Sequence, residues 1–420
     1  MQQLLQQKRA IFSGAFLAYV LALSWLNWQI STPATSMSEF GFLFGPEISR
    51  ILAGEPMTAS ERMPFVPHFL ASLARLTDEP FAHLLVKNLL FQSLLLIVFL
   101  HWLEKLRWQP VALILIGYVL MFPQLARHGF ALFPEEGYLI ALLAFLFHGL
   151  LRAPGYEKLW QFLPYALGCG LAFLTKGSTL LLAPLLCLLF FIRTARLSVL
   201  VLFTGITAAA MLSWGFANLT HTGKFPLTTS YAGYILWTGN NPKTLENYPA
   251  QSLDPIAKQA SGQRDNESEW EWNSRLRDEA FTFIREEPAT AAKLFALRFY
   301  KTFLAVTPVE SSDWQGSSLT DLRSPLKTVG ILFMVVFRVL FFVACYSALK
   351  SLITGSASSD QRTAAIAFLL FIVGFVAPFL VAFVYERQIM PMVIPTILYL
   401  LFVIASWPAN GSTQVTNRIK

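Results

Sequence analysis

Charge is scarce in this 420-residue sequence: 14% of its residues are Asp, Glu, Lys or Arg, against 55% hydrophobic. With a mean hydropathy of +0.52, that balance argues against a soluble protein, although length alone would allow two or three soluble domains. Cysteine is scarce too. Cys169, Cys187 and Cys345 all fall in apolar runs without ligand spacing and read as core packing. No His/Cys/Asp cluster has the spacing of a structural metal site and there is no P-loop, so nothing demands a metal, a nucleotide or another cofactor. A basic patch with interleaved aromatics is missing as well, which excludes a nucleic-acid partner. Neither an internal repeat nor a low-complexity linker divides the chain.

What the sequence has instead is long apolar runs. Ile11–Trp28, Leu84–Leu103, Val111–Phe122, Tyr138–Leu151, Phe162–Leu174, Leu180–Ile192, Val199–Phe216, Val329–Leu349, Thr363–Val384 and Met392–Trp407 read as membrane-spanning helices. They predict an all-α polytopic protein with about ten spans, several of them short against the roughly 20 residues a bilayer asks for. The first run lacks a clear small-residue cleavage site, and Trp25, Trp28 and Gln29 suit a membrane boundary, so it reads as a helix and not a signal peptide.

With the N-terminus cytoplasmic, each cytoplasmic segment carries a basic pair: Lys8/Arg9, Lys105/Arg107, Arg152/Lys158, Arg193/Arg196, Lys350/Arg362 and Arg418/Lys420. That is the positive-inside bias, and it accounts for most of the net charge of +7. Both termini are then cytoplasmic and both long polar stretches external. Residues 1–217 form an N-terminal transmembrane module with its first external loop at 29–81. Residues 218–327 form an external cap, and 328–420 the last spans. The minimal loops favour a bacterial cytoplasmic membrane with the site on its periplasmic face.

The remaining charges gather at the external helix ends. Ser38–Pro67 carries Glu39, Glu47, Glu55, Arg50 and Arg62; Pro123–Gly137 carries Arg127, His128, Glu135 and Glu136; Leu174–Ser178 carries Lys176; Tyr385–Pro391 carries Glu386 and Arg387. Within the first loop, Ile48, Ile51 and Leu52 have helical spacing that Gly54 ends, and Phe65–Leu76 repeats the pattern. Such segments at membrane level make sense where they line a cavity or pack on protein. In the cap, the pattern predicts helices from about Trp272 to Arg285 and, after Pro288, over Ala289–Val306.

The order of these motifs resembles the GT-C fold glycosyltransferases that use polyprenyl-phosphate sugars, the group of protein O-mannosyltransferases and aminoarabinose transferases. The resemblance rests on Glu39 followed by Gly54; Arg62, Pro64 and Pro67; Phe133-Pro134-Glu135-Glu136-Gly137-Tyr138; and Thr175-Lys176-Gly177 before an apolar run ending in Ala183-Pro184. Tyr231–Pro242, Phe283–Pro288 and Glu386-Arg387 with Pro391 continue it. It covers nearly the whole chain, with Ser38-Glu39 standing where the group has Asp or Asp-Glu. The resemblance implies a GT-C-like bundle and inverting transfer of a sugar from a polyprenyl-phosphate donor to an acceptor outside the cell. It also implies Glu39 as the base.

The residues fit that chemistry on their own terms. A carboxylate in hydrogen-bond reach serves as general base, and cations stabilise a leaving phosphate best where water is scarce. Glu39 and Glu135 are the catalytic candidates; Lys176, Arg387 and Arg62 are the candidates for the donor phosphate. Glu136, Arg127, Trp237, Asn240 and Asn241 are secondary, and so is Glu47, which reads better as a partner of Arg50 at i, i+3. Asn240-Asn241 reads equally as a turn packing the cap on the bundle, and Lys176 as a cation snorkelling to the interface. Arg338, well inside an apolar run, needs a partner that the sequence does not name. The rival functions are a transporter or flippase of lipid-linked saccharides, which predicts interrupted helices and midplane polar groups, and a polysaccharide ligase or polymerase.

Overall fold

In the computed structural model, residues 2–30, 45–57, 62–132, 135–247, 267–305, 323–354, 357–382 and 388–407 are described. Among them the chain is helical throughout and contains no strand. Over its described residues, each of the ten apolar runs is mainly helical. Seven helices are long and apolar enough to cross a membrane, or eight if one bent pair is counted as a single span. This is the architecture of a polytopic membrane protein, with fewer qualifying spans than the sequence suggested.

Three short elements account for the difference. α5 (Pro110–Met121) has 12 residues, and Pro123, lacking an N–H, starts a separate helix α6 (Pro123–Phe130) bent by 60° from it. α8 (Leu163–Thr175) and α16 (Val393–Ser406) have 13 and 14 residues, about 20 Å at the helical rise and short of a hydrocarbon core of about 30 Å. α16 nevertheless buries every residue from Val393 to Phe402, so protein and not lipid surrounds it. α7 (Glu136–Arg152) is buried from Glu136 to Leu151 apart from the half-buried Phe145. These two helices form the centre of the bundle.

Other helices surround them: α1 (Gln2–Ile30), α4 (Pro80–Lys105), α9 (Leu182–Thr194), α10 (Leu197–Thr222), α14 (Arg323–Ile353) and α15 (Ser359–Val381). α14 turns Leu332, Val335, Val336, Val339, Phe342 and Val343 outward, the apolar face expected toward lipid. Aromatic contacts weld the centre, with Tyr399 of α16 stacked on Phe368 of α15 at 4.5 Å and Phe147 of α7 against Phe371 at 5.1 Å. The two loop helices read from the sequence form as α2 (Gly45–Leu52) and α3 (Phe65–Ala74). Gly54 ends the first with a φ of 78°, a backbone state that glycine adopts without penalty.

The cap is built from α11 (Ala232–Gly239), α12 (Glu269–Glu286) and α13 (Pro288–Phe303). α12 starts at a capping box of Ser268 and Glu271 and stops at Pro288, within a few residues of where periodicity placed it. At its end, α11 meets the last turn of α15 so closely that a Cβ on Gly239 would stand 1.6 Å from the Ala382 carbonyl oxygen. Only glycine fits there.

Buried cations recur at helix C-termini, where up to four carbonyls lack partners. Arg193 of α9 donates to the carbonyls of Leu150 and Leu151 at 3.0 and 3.1 Å and pairs with Asp360 at 2.8 Å. Arg298 of α13 donates to Leu380 and Val381 of α15 at 2.8 and 2.6 Å, and to Gly239 of α11 at 2.5 Å. Arg338 finds its partners at the end of α13, the carbonyls of Thr302 and Ala305, the latter at 3.1 Å. Lys87 of α4 donates to the carbonyls of Gly129 and Ala131, at and just past the end of α6, at 2.7 Å each.

Candidate functional site

The sequence brings Arg62, Glu135, Glu136 and Lys176 from three distant segments, and the fold places them together. Each arrives by a different local device. Arg62 precedes α3, whose Phe65 and Phe69 lock edge-on against Phe91 of α4 and Tyr138 of α7, with ring centroids 6.0–6.1 Å apart. Glu135 and Glu136 open α7, where the unpaired N–H groups and the helix dipole favour negative charge. Lys176 is the residue after α8. Its backbone is extended (φ −152°, ψ 128°), and Thr179 Oγ1 donates to its carbonyl at 2.7 Å and to that of Ala172 at 3.1 Å. On the far side of this turn, a Cβ on Gly177 would stand 3.1 Å from Thr228.

Arg62 Nη1 donates to Glu135 Oε1 at 2.9 Å; Lys176 Nζ lies 4.0 Å from Glu135 Oε2 and pairs directly with Glu136 Oε1. Exposure separates the two charges: the Glu135 and Glu136 side chains are 7% and 1% exposed, the Arg62 and Lys176 side chains 21% and 19%. Among the described residues these are the two buried carboxylates. Burial pushes the Glu135 carboxyl up, but Arg62 and Lys176 outweigh it and hold the group below the usual carboxylate range, against repulsion from Glu136. Glu135 is therefore an anion at neutral pH.

The cluster is recessed. Tyr138, one turn beyond Glu135, packs on Phe91 at 5.0 Å, and Phe91 lies about 16 Å along α4 from its start at Pro80. The basic residues read as cytoplasmic collect at the other end of the bundle, where Arg9 pairs with Glu104 and Arg193 with Asp360.

Other expected site residues fall elsewhere. Glu39 and Arg387 lie outside the described residues. Glu47 is half-buried in the first turn of α2, and Arg127 is half-buried in the last turn of α6. Asn240 joins the cap to the bundle, and Asn241 closes a turn within the cap. Asn240 Nδ2 donates to the Leu236 and Val381 carbonyls at 2.8 Å, and its Oδ1 accepts from Arg298 at 2.9 Å; Asn241 Nδ2 donates to the Trp237 carbonyl at 2.8 Å. They serve the turn that the sequence equally allowed. Trp237 borders a groove of 760 Å³ in the cap, with Glu271, Asp278, Glu279 and Arg275 among its walls.

Sequence reading missed two groups. Lys87, Asn88 and Gln92 signalled themselves only as polar residues inside an apolar span. Arg298, in an amphipathic cap helix, gave no signal at all. Compared with known proteins, the chain matches no family model, no curated protein and no solved structure.

Proposed function

We propose that the protein is an integral membrane glycosyltransferase with a GT-C-like bundle, transferring a sugar from a polyprenyl-phosphate donor to an acceptor on the external face of a bacterial cytoplasmic membrane. The observation that carries this reading is the cluster of two buried carboxylates and two partly exposed cations, recessed at one end of the bundle. The other buried cations named above are occupied by helix-end carbonyls. Lys176 and Arg62 alone among them sit beside carboxylates with part of their surface open, which suits exchange with an incoming anion.

In the proposed reaction the bond between the sugar anomeric carbon and the donor phosphate oxygen breaks. The acceptor oxygen or nitrogen bonds to that carbon from the opposite face, and its proton passes to Glu39. The departing polyprenyl phosphate takes its charge stabilisation from Lys176 and Arg62, with Arg387 as a third cation. Glu135 suits a different task from the one its sequence position suggested. A carboxylate held ionised by two cations is a weak base, so Glu135 and Glu136 orient the two cations, and an incoming phosphate competes with the carboxylates for them.

The test is transfer of radiolabelled sugar from polyprenyl-phosphate-sugar pools by the full chain in vesicles. Wild type should label an endogenous acceptor. Folded Lys176→Ala and Glu39→Gln variants should each lose on the order of 10²–10³ in rate. No transfer by wild type from any pool would overturn the reading. One observation favours transport of a lipid-linked saccharide instead: the bent pair α5–α6 is an interrupted span of the kind transporters use. Against it, the carbonyls at the far end of α6 from the break are occupied by Lys87, Asn88 and Gln92. Vesicle uptake of labelled lipid-linked sugar without transfer would support that alternative.

A further inference from the structure

Lys87 stands about 10 Å along α4 from its start, fully buried, and the proposed chemistry makes no use of it. Its ammonium donates to the carbonyls of Gly129 and Ala131 at 2.7 Å each and to Asn88 Oδ1 at 3.1 Å, and it lies 5.2 Å from the centre of the Tyr138 ring. Its neighbours bind the same segment: Asn88 Nδ2 donates to the Phe130 carbonyl and Gln92 Nε2 to the Gly129 carbonyl, both at 3.1 Å. Asn88 Nδ2 also reaches Ser24 Oγ of α1 at 2.9 Å. One face of α4 thus holds three consecutive carbonyls at the end of α6, four residues before Glu135. On the other side of the ammonium is Gly137. A Cβ there would stand 2.9 Å from Lys87 Nζ, 2.8 Å from the Ala131 carbonyl oxygen and 3.0 Å from that of His128.

A buried cation is costly unless charge or dipole surrounds it, and here the carbonyl end of α6 supplies that dipole. The ammonium therefore fixes where α6 ends relative to where α7 begins. We infer that Lys87, with Asn88 and Gln92, is a positioning residue for the acid pair: it clamps the α6–α7 junction so that Glu135 and Glu136 meet Arg62 and Lys176. The clamp follows from these contacts alone; its importance for catalysis rests on the transferase reading.

The test reads cluster geometry without needing activity. Purified full-length protein in lipid vesicles is treated with an amine-acylating reagent, and modification of Lys176 is followed by mass spectrometry, with exposed Lys158 at the opposite end as reference. Glu136→Gln, which removes the direct partner of Lys176, sets the rate for a released amine. Lys87→Met and Gly137→Ala should each raise Lys176 modification several-fold toward that rate, with Lys158 unchanged. Gly137→Ala decides the matter if Lys87→Met does not fold, because it crowds the clamp while retaining the lysine. Protection of Lys176 as in wild type, in a folded Lys87→Met or Gly137→Ala variant, would overturn the inference. If Lys176 is released but wild type transfers no sugar, the clamp stands and the transferase reading falls. If wild type does transfer sugar, the same variants should raise the donor KM.

Discussion

Replacing Glu135 by glutamine keeps the side chain's shape and removes its charge, leaving Arg62 and Lys176 to share Glu136. At 2.9 and 4.0 Å, and with an effective dielectric of about 20, the two cations attract the carboxylate by roughly 4–6 kcal/mol each before costs. Desolvation of Glu135 and repulsion from Glu136 consume most of that. Removing one partner of a buried pair typically destabilises by about 3–5 kcal/mol, but both cations here retain some contact with water and can rehydrate. The expected net loss is about 2 kcal/mol at neutral pH. The sign of its pH dependence follows from the depressed pKa of Glu135: the stabilisation is complete above the ordinary glutamate pKa of about 4.3 and disappears as pH falls through the lower folded-state value. Reversible unfolding of wild type and Glu135→Gln in detergent, from pH 7 downward, measures the difference. A loss under about 0.5 kcal/mol at pH 7 would mean that the cluster is solvated and that its pairs are incidental. A gap that stays constant through the acid range would mean that the charge of Glu135 is not its cause.

Lys176→Ala removes the direct cation of Glu136, whose side chain is 1% exposed, and should cost about 3 kcal/mol, while transfer by the folded variant falls on the order of 10²-fold; retained activity would remove Lys176 from the donor site. Arg298→Met should cost about 3 kcal/mol by orphaning the carbonyls of Gly239 and Leu380. Limited proteolysis should then cut α12 and α13 while the bundle resists. Gly239→Ala, which has no room beside Ala382, should release the cap in the same assay; an uncut variant would show that the α11–α15 contact yields. Asn241→Ala should cost about 1 kcal/mol, the worth of a lost helix-end hydrogen bond, and leave the donor KM unchanged, since its amide serves Trp237.

The helices were legible because their causes are local. Apolar runs, Pro288 as a breaker and Gly54 as a stop act within a turn or two of themselves; the capping box of Ser268 and Glu271, equally local, starts its helix at Glu269, ahead of the expected Trp272. The number of spans was less legible. Whether a run of 12–14 apolar residues crosses lipid or fills a core depends on what surrounds it, and α16 looks the same in sequence either way. The charged residues divide similarly. Scarcity made each one conspicuous, and Glu135, Lys176 and Arg62 were singled out for that reason. Yet scarcity does not tell a ligand-facing amide from one that ties a cap down; Asn240 ties the cap to α15, and Asn241 closes the end of α11.

By itself, then, the sequence determined that the chain is helical and built for a membrane, where its helices start and stop, and which end of them carries the spare charge. Those properties are set by composition and by neighbours a few residues away. Tertiary structure alone decided which charges meet. Arg62, Glu135 and Lys176 are separated by 73 and 41 residues, and what joins them is the docking of α3 on Tyr138, the dipole at the start of α7 and the extended turn after α8. It likewise decided that Lys87, Arg193, Arg298 and Arg338 would close helix ends. A carbonyl left open at a helix terminus accepts any donor that packing brings near, and sequence spacing holds no record of that approach.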